Sequence, residues 1–185
     1  MKRPTKHKFP LLIYQTLSKR WLVSSLLLIP LGLLLWWTQR QSGPYAFAVL
    51  FVPLAGSFLT IYALLARGAA VICSQKHFAV RTPLMPVIFS YRRVENVRPL
   101  EFAVAFPPLE EKSARRRLYQ KLWAKTAVVV DLKGLPVPRW WLKLWFSPYL
   151  LHPTEKALVL LVDEWMALVR QIETHRTALQ KRRPY

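Results

Sequence analysis

The sequence predicts an α+β membrane protein: a helical hairpin that crosses the membrane, then short antiparallel strands closed by a C-terminal α-helix. Three observations predict it. Two long stretches near the start carry no charge. The region after them shows short β-rich runs separated by turn residues, the pattern of an antiparallel meander. A final segment places apolar residues at helical spacing.

The first uncharged stretch, Trp21 to Thr38, reads WLVSSLLLIPLGLLLWWT and is 18 residues long, close to the ~20 needed to span. Trp21 stands at one end and Trp36 and Trp37 at the other, where indole rings favour the headgroup level. Pro30 and Gly32 lie inside it, and in lipid such residues kink a helix or admit a close neighbour. The second stretch, Pro44 to Ala66, holds the small residues Ala55, Gly56 and Ser57. The link between them, Gln39 to Gly43, is short enough to force a tight hairpin. A cleaved signal peptide is the competing reading of the first stretch. Its apolar run is longer than a signal core, and no small-x-small site follows Trp37, so a retained anchor is expected.

Charge sets the expected orientation. The net charge is +19, yet residues 1–66 hold only seven of the 28 Lys and Arg. Six of those seven (Lys2, Arg3, Lys6, Lys8, Lys19 and Arg20) precede Trp21. The loop has Arg40, and Arg67 follows the second stretch. The positive-inside rule then puts both termini in the cytoplasm of a multi-pass inner-membrane protein. The expected parts are a basic cytoplasmic segment (1–20), the hairpin (21–66), a cytoplasmic domain (67–179) with a basic insertion (107–125), and a basic tail (180–185).

Within the cytoplasmic domain, strands are expected at Ala69 to Ser74, His77 to Thr82, Val87 to Arg92 and Val94 to Ala105. The insertion follows, then strands at Thr126 to Leu132 and Val137 to Phe146. In the insertion, Leu118, Tyr119, Leu122 and Trp123 share one face of a candidate helix, with Arg115, Arg116, Arg117 and Lys121 supplying charge. Two readings stand: a basic amphipathic helix on the bilayer surface, or a helix packing its apolar residues on its own domain. In Val137 to Phe146, alternation puts Trp140, Leu142, Leu144 and Phe146 on a core face and Arg139, Trp141, Lys143 and Trp145 on the other. Cations interleaved with amphipathic rings suit a membrane or protein interface. Leu158, Leu161, Val162, Trp165, Leu168, Val169 and Ile172 form the stripe of a closing helix that begins near Pro153.

The order of elements resembles the bacterial PH-like membrane proteins, a group of two-span proteins. The resemblance runs through VICSQKHFAVRTPLMPVIFSYRRVENVRPLEF, which is similar to the family's first strands, and LKGLPVPRWWLKLWFSP, which is similar to its last hairpin. Trp165 is similar to the tryptophan that PH domains place against their barrel. The resemblance implies a strongly bent antiparallel sheet or partial barrel, capped by the C-terminal helix, serving as a scaffold. Lys76 and Arg81 lie near the first turn, but the basic cluster of phosphoinositide-binding versions is incomplete.

No catalytic motif is present: no Gly-rich phosphate loop, nucleophile elbow or HExxH. Cys73 is the only cysteine and the histidines are scattered, so no metal or cofactor is expected. Nucleic acid is a weaker partner for the spread charge than the nearby anionic leaflet. The expected function is a non-catalytic membrane-anchored scaffold or binding protein that docks on inner-leaflet anionic lipids or on another membrane protein. An accessory subunit of a larger membrane complex is the alternative. The candidate surface comprises Arg139, Trp141, Lys143 and Trp145, and then Arg115, Arg116, Arg117, Lys121 and Trp123.

Overall fold

The structure, a computed structural model, describes residues 7–39 and 49–181. Two compact units emerge: Tyr14–Arg67, and a second assembled from Met1–Ile13 together with Gly68–Tyr185. The expected loop, the first residues of the expected second span, Lys2, Arg3, Lys6, Arg40 and the tail from Arg182 on lie outside the described residues.

The first unit is helical. Helix α1 (Leu12–Gln39) has 28 residues and contains Pro30. It starts nine residues before the expected Trp21. Helix α2 (Phe51–Arg67) has 17 residues. Among the described residues, Leu12–Thr38 is long and apolar enough to cross a membrane, and α2 is a shorter apolar helix. Val23, Leu26, Leu27 and Leu34 are exposed, an apolar surface that water would not favour. The helices meet through small residues. An added Cβ on Gly32 would lie 2.6 Å from Pro53 Cδ, and one on Gly56 would lie 3.0 Å from Ile29 Cγ1. The hydroxyls of Ser25 and Thr60 are 2.9 Å apart, which gives a polar tie between otherwise apolar faces.

The second unit holds seven antiparallel strands among the described residues. One sheet runs β1 (His7–Pro10), β2 (Ala70–Cys73), β3 (His77–Arg81) and β4 (Pro86–Ser90), each beside the next. The other runs β5 (Val94–Glu101), β6 (Thr126–Leu132) and β7 (Ala157–Leu160). A 3-10 turn at Tyr91–Arg93 joins them, with the Ser90 hydroxyl accepting from the Arg92 N–H.

β1 is a correction to the expected plain basic segment. Phe9 is its one buried residue, so the run HKFP carries no strand periodicity to read. It pairs His7 with Cys73 and Pro10 with Ala70. Leu11 N–H then donates to Ala69 O at 3.1 Å, and Leu12 N–H donates to Leu161 O at 3.0 Å.

β2, β3, β4 and β6 lie where expected, within a residue or two. β5 ends at Glu101, and Phe102–Ala105 turns helical (α3). Pro99 is tolerated because β5 is a sheet edge, where a missing N–H breaks no ladder on one side. β6 buries Ala127, Val128, Val129 and Val130, so both of its faces are covered, as a continuous apolar run allows.

Three further expectations are corrected. In the insertion only Ser113–Leu118 is α-helical (α4), because Tyr119, Leu122 and Trp123 turn into the core. The expected strand at Val137 to Phe146 is a seven-residue helix, α5 (Arg139–Trp145). Short apolar runs fit either period, and here Leu142 and Phe146, four residues apart, are the buried pair. The first half of the expected closing helix is β7, which pairs Val159 with Val129. The closing helix, α6 (Trp165–Lys181), therefore starts after Asp163 and Glu164. It packs along β5, β6 and the 3-10 turn, with Leu168 and Ile172 buried.

Candidate functional site

One predicted surface group lies on α5 and the other on α4 and the turn after it, and the segment that follows α5 packs on that turn through one side chain. Tyr149 follows α5 by four residues and is buried. Its ring centroid is 4.9 Å from Tyr119, 5.1 Å from Phe106 and 6.3 Å from Trp123. Trp123 also stacks on Phe102 at 5.1 Å. Burial pushes the Tyr149 phenol above its ordinary value, and the Glu111 carboxylate beside it adds to the shift. Tyr149 therefore stays neutral and serves as a packing hub for the segments before and after it.

The same cluster contains Leu12 and Ile13, the first two residues of α1. The insertion and Tyr149 thus share a core with the first two residues of α1. Tyr149 carried no signal in the sequence beyond being a Tyr between two prolines, and Leu12 and Ile13 read there as the approach to a span.

Arg115, Arg116, Arg117 and Lys121 are exposed. Trp123 is not part of that surface: it is 8% exposed, and its Nε1 donates to Arg116 O at 3.3 Å. That corrects its place among the binding residues. A large ring next to a short helix is worth more in the core than on the surface.

On α5 the predicted faces are redistributed by the helical period. The Arg139 guanidinium donates to the carbonyls of His152 and of Pro153, the latter at 2.6 Å. It braces the chain after Tyr149 and is committed to backbone. Trp141 and Trp145, four residues apart, are partly buried with ring centroids 6.0 Å apart. Trp140 is 70% exposed and Leu144 is 68% exposed, although both were expected in the core. With exposed Lys143 they form one outward face at i, i+3, i+4.

Elsewhere, polar chemistry is spent on structure. Arg98 bridges Asp131, at 3.3 Å, and Glu155. These line an open groove of about 640 Å³ that also holds Glu95, Lys133 and Lys156. Its three acids and three bases balance. Cys73 is buried, and burial pushes its thiol up to about 11, so little thiolate forms at neutral pH. No cluster of His, Cys, Asp or Glu able to hold a metal occurs among the described residues.

Comparison of the chain with protein-family models, with curated proteins and with solved structures gives no match.

Proposed function

We propose that this chain is a non-catalytic, membrane-anchored scaffold or binding protein. Residues 14–67 cross the bilayer twice, and the β-rich unit stands at the cytoplasmic face with both termini. One observation carries this reading: β1, before α1, pairs in register with β2, after α2. Strands hydrogen-bonded in one sheet lie on one side of any membrane. If α1 crosses, the chain must cross back before Ala70, and the apolar α2 is the segment able to bring it back. Lys8, Lys19 and Arg20 before the first uncharged stretch and Arg67 after the second favour the cytoplasm for that side.

The PH-like reading draws support from the antiparallel strands and from a C-terminal helix against the second sheet. The scaffold role draws support from the exposed cations and apolar residues of α4 and α5, set against a balanced groove and a protonated thiol.

The test is topological. Tags placed at each terminus should both resist protease in sealed right-side-out vesicles and both be cut in inverted ones. Tags on opposite sides would overturn the hairpin, and two tags outside would reverse the orientation.

A further inference from the structure

We infer that the outward faces of α4 and α5 form a foot that rests in the headgroup layer of an anionic phospholipid bilayer. Trp140 and Leu144 reach the acyl boundary, and Arg115, Arg116, Arg117 and Lys143 hold lipid phosphates. The inference rests on the membrane-anchored reading and adds the ligand class and the contacting residues.

Position comes first. Leu12 and Ile13 share a core cluster with Tyr119, Trp123 and Tyr149. These three residues flank or follow α4 and α5. The turn after α4 and the segment after α5 therefore share one core with Leu12 and Ile13, within the same unit.

Chemistry comes second. Trp140 and Leu144 are among the most exposed large apolar side chains of the unit, and Lys143 stands between them. An indole and an isobutyl group beside an ammonium match the layered polarity of a bilayer interface, where one end of the group is wet and the other apolar. The cations of α4 are not neutralised locally. Residues 107–125 hold six Lys and Arg against Glu110 and Glu111, and residues 139–152 hold Arg139 and Lys143 with no acid. Lys125 is spent on Asp163 at 2.6 Å, and Arg139 on backbone. The remaining cations, Lys112, Arg115, Arg116, Arg117, Lys121 and Lys143, are all exposed. A surface of this kind is complementary to a lipid phosphate layer, and its attraction falls off within a Debye length.

The test uses the full chain with Cys73→Ala and one new cysteine carrying an environment-sensitive fluorophore, at Leu27→Cys, Leu144→Cys or Met166→Cys. The proteins are reconstituted into vesicles of phosphatidylcholine alone or mixed equally with phosphatidylglycerol, with and without brominated lipid. The label at 144 should shift to the blue and be quenched by brominated lipid in the anionic vesicles. Arg115→Gln/Arg116→Gln/Arg117→Gln, added together, should remove most of that signal, as should neutral vesicles. The label at 166, on the exposed side of α6, should show neither effect.

A label at 144 that is as wet and as unquenched as the one at 166 would overturn the foot. A signal at 144 indifferent to lipid charge and to the arginines would overturn the phosphate contacts. The label at 27 on α1 reports the anchor separately. Quenching at 27 without quenching at 144 rejects the foot alone, whereas no quenching at 27 rejects the membrane-anchored reading itself.

Discussion

The backbone N–H of Leu12 donates to the carbonyl oxygen of Leu161 at 3.0 Å. One residue earlier, Leu11 donates to Ala69 beside the first sheet, while Leu161 directly follows β7 of the second. Successive N–H groups thus tie the chain to both sheets just before it enters the long apolar helix. The N-terminal segment is part of the β-rich unit and closes it, although residues 14–67 separate it from the rest.

That closure makes the β-rich unit dependent on residues 7–13. Phe9, Leu11 and Ile13 are buried there, and losing a buried Phe or Ile side chain costs ~2–5 kcal/mol. A fragment of residues 68–181 should aggregate or unfold without cooperativity. Residues 7–13 joined by a Gly/Ser linker to 68–181 should recover a cooperative thermal transition by circular dichroism. Equal melting of the two fragments would show that β1 is dispensable.

Arg139 should act as a brace. Its guanidinium serves two carbonyls at once, a fork that a lysine ammonium does not reproduce. Arg139→Ala should destabilise the unit by ~1–3 kcal/mol, with Arg139→Lys falling between. Denaturant titration in detergent measures this. Full stability in Arg139→Ala would return the side chain to the list of candidate surface cations.

Stability should fall at alkaline pH. The Cys73 thiol is raised from 9.0 to about 11 by burial, and Tyr91 beside it is raised as well, chiefly by burial. Below pH 9 both states keep the thiol proton, and the native preference is fully present. Between about 9 and 11 the unfolded chain releases the proton while the native one holds it, so stability declines. The Cys73 share is roughly 2–3 kcal/mol at 1.36 kcal/mol per pH unit. Cys73→Ala should flatten part of the decline in unfolding measured across this window. An unchanged slope would mean the thiol titrates alike in both states.

The helix pair should be sensitive to volume at Gly32. A Cβ there meets Pro53 at 2.6 Å, so Gly32→Ala should weaken the pairing and Gly32→Leu should disrupt it. Cysteines at Ser25 and Thr60, whose hydroxyls are 2.9 Å apart, should cross-link readily in a Cys73→Ala background. Adding Gly32→Leu should abolish the cross-link. Persistent cross-linking would show that the helices accommodate the side chain.

The α+β class, the long apolar stretches, five of the seven strands and the amphipathic second half of the closing helix were legible from the sequence. Each rests on a local signal, either hydropathy summed over many residues or a clear period of two or 3.6. Tertiary structure decided the rest. HKFP became a strand because β2 offered it a partner. RWWLKLW became a helix because, of the alternating set, Leu142 and Phe146 found the core while Trp140 and Leu144 did not. Ala157–Leu160 became a strand because β6 had a free edge to fill. The candidate surface changed for the same reason: Trp123 went inward to Tyr149, and Trp140 and Leu144 turned outward. A short run's intrinsic preference is worth less than the hydrogen bonds and buried area its neighbours provide, and those neighbours lie far away in sequence.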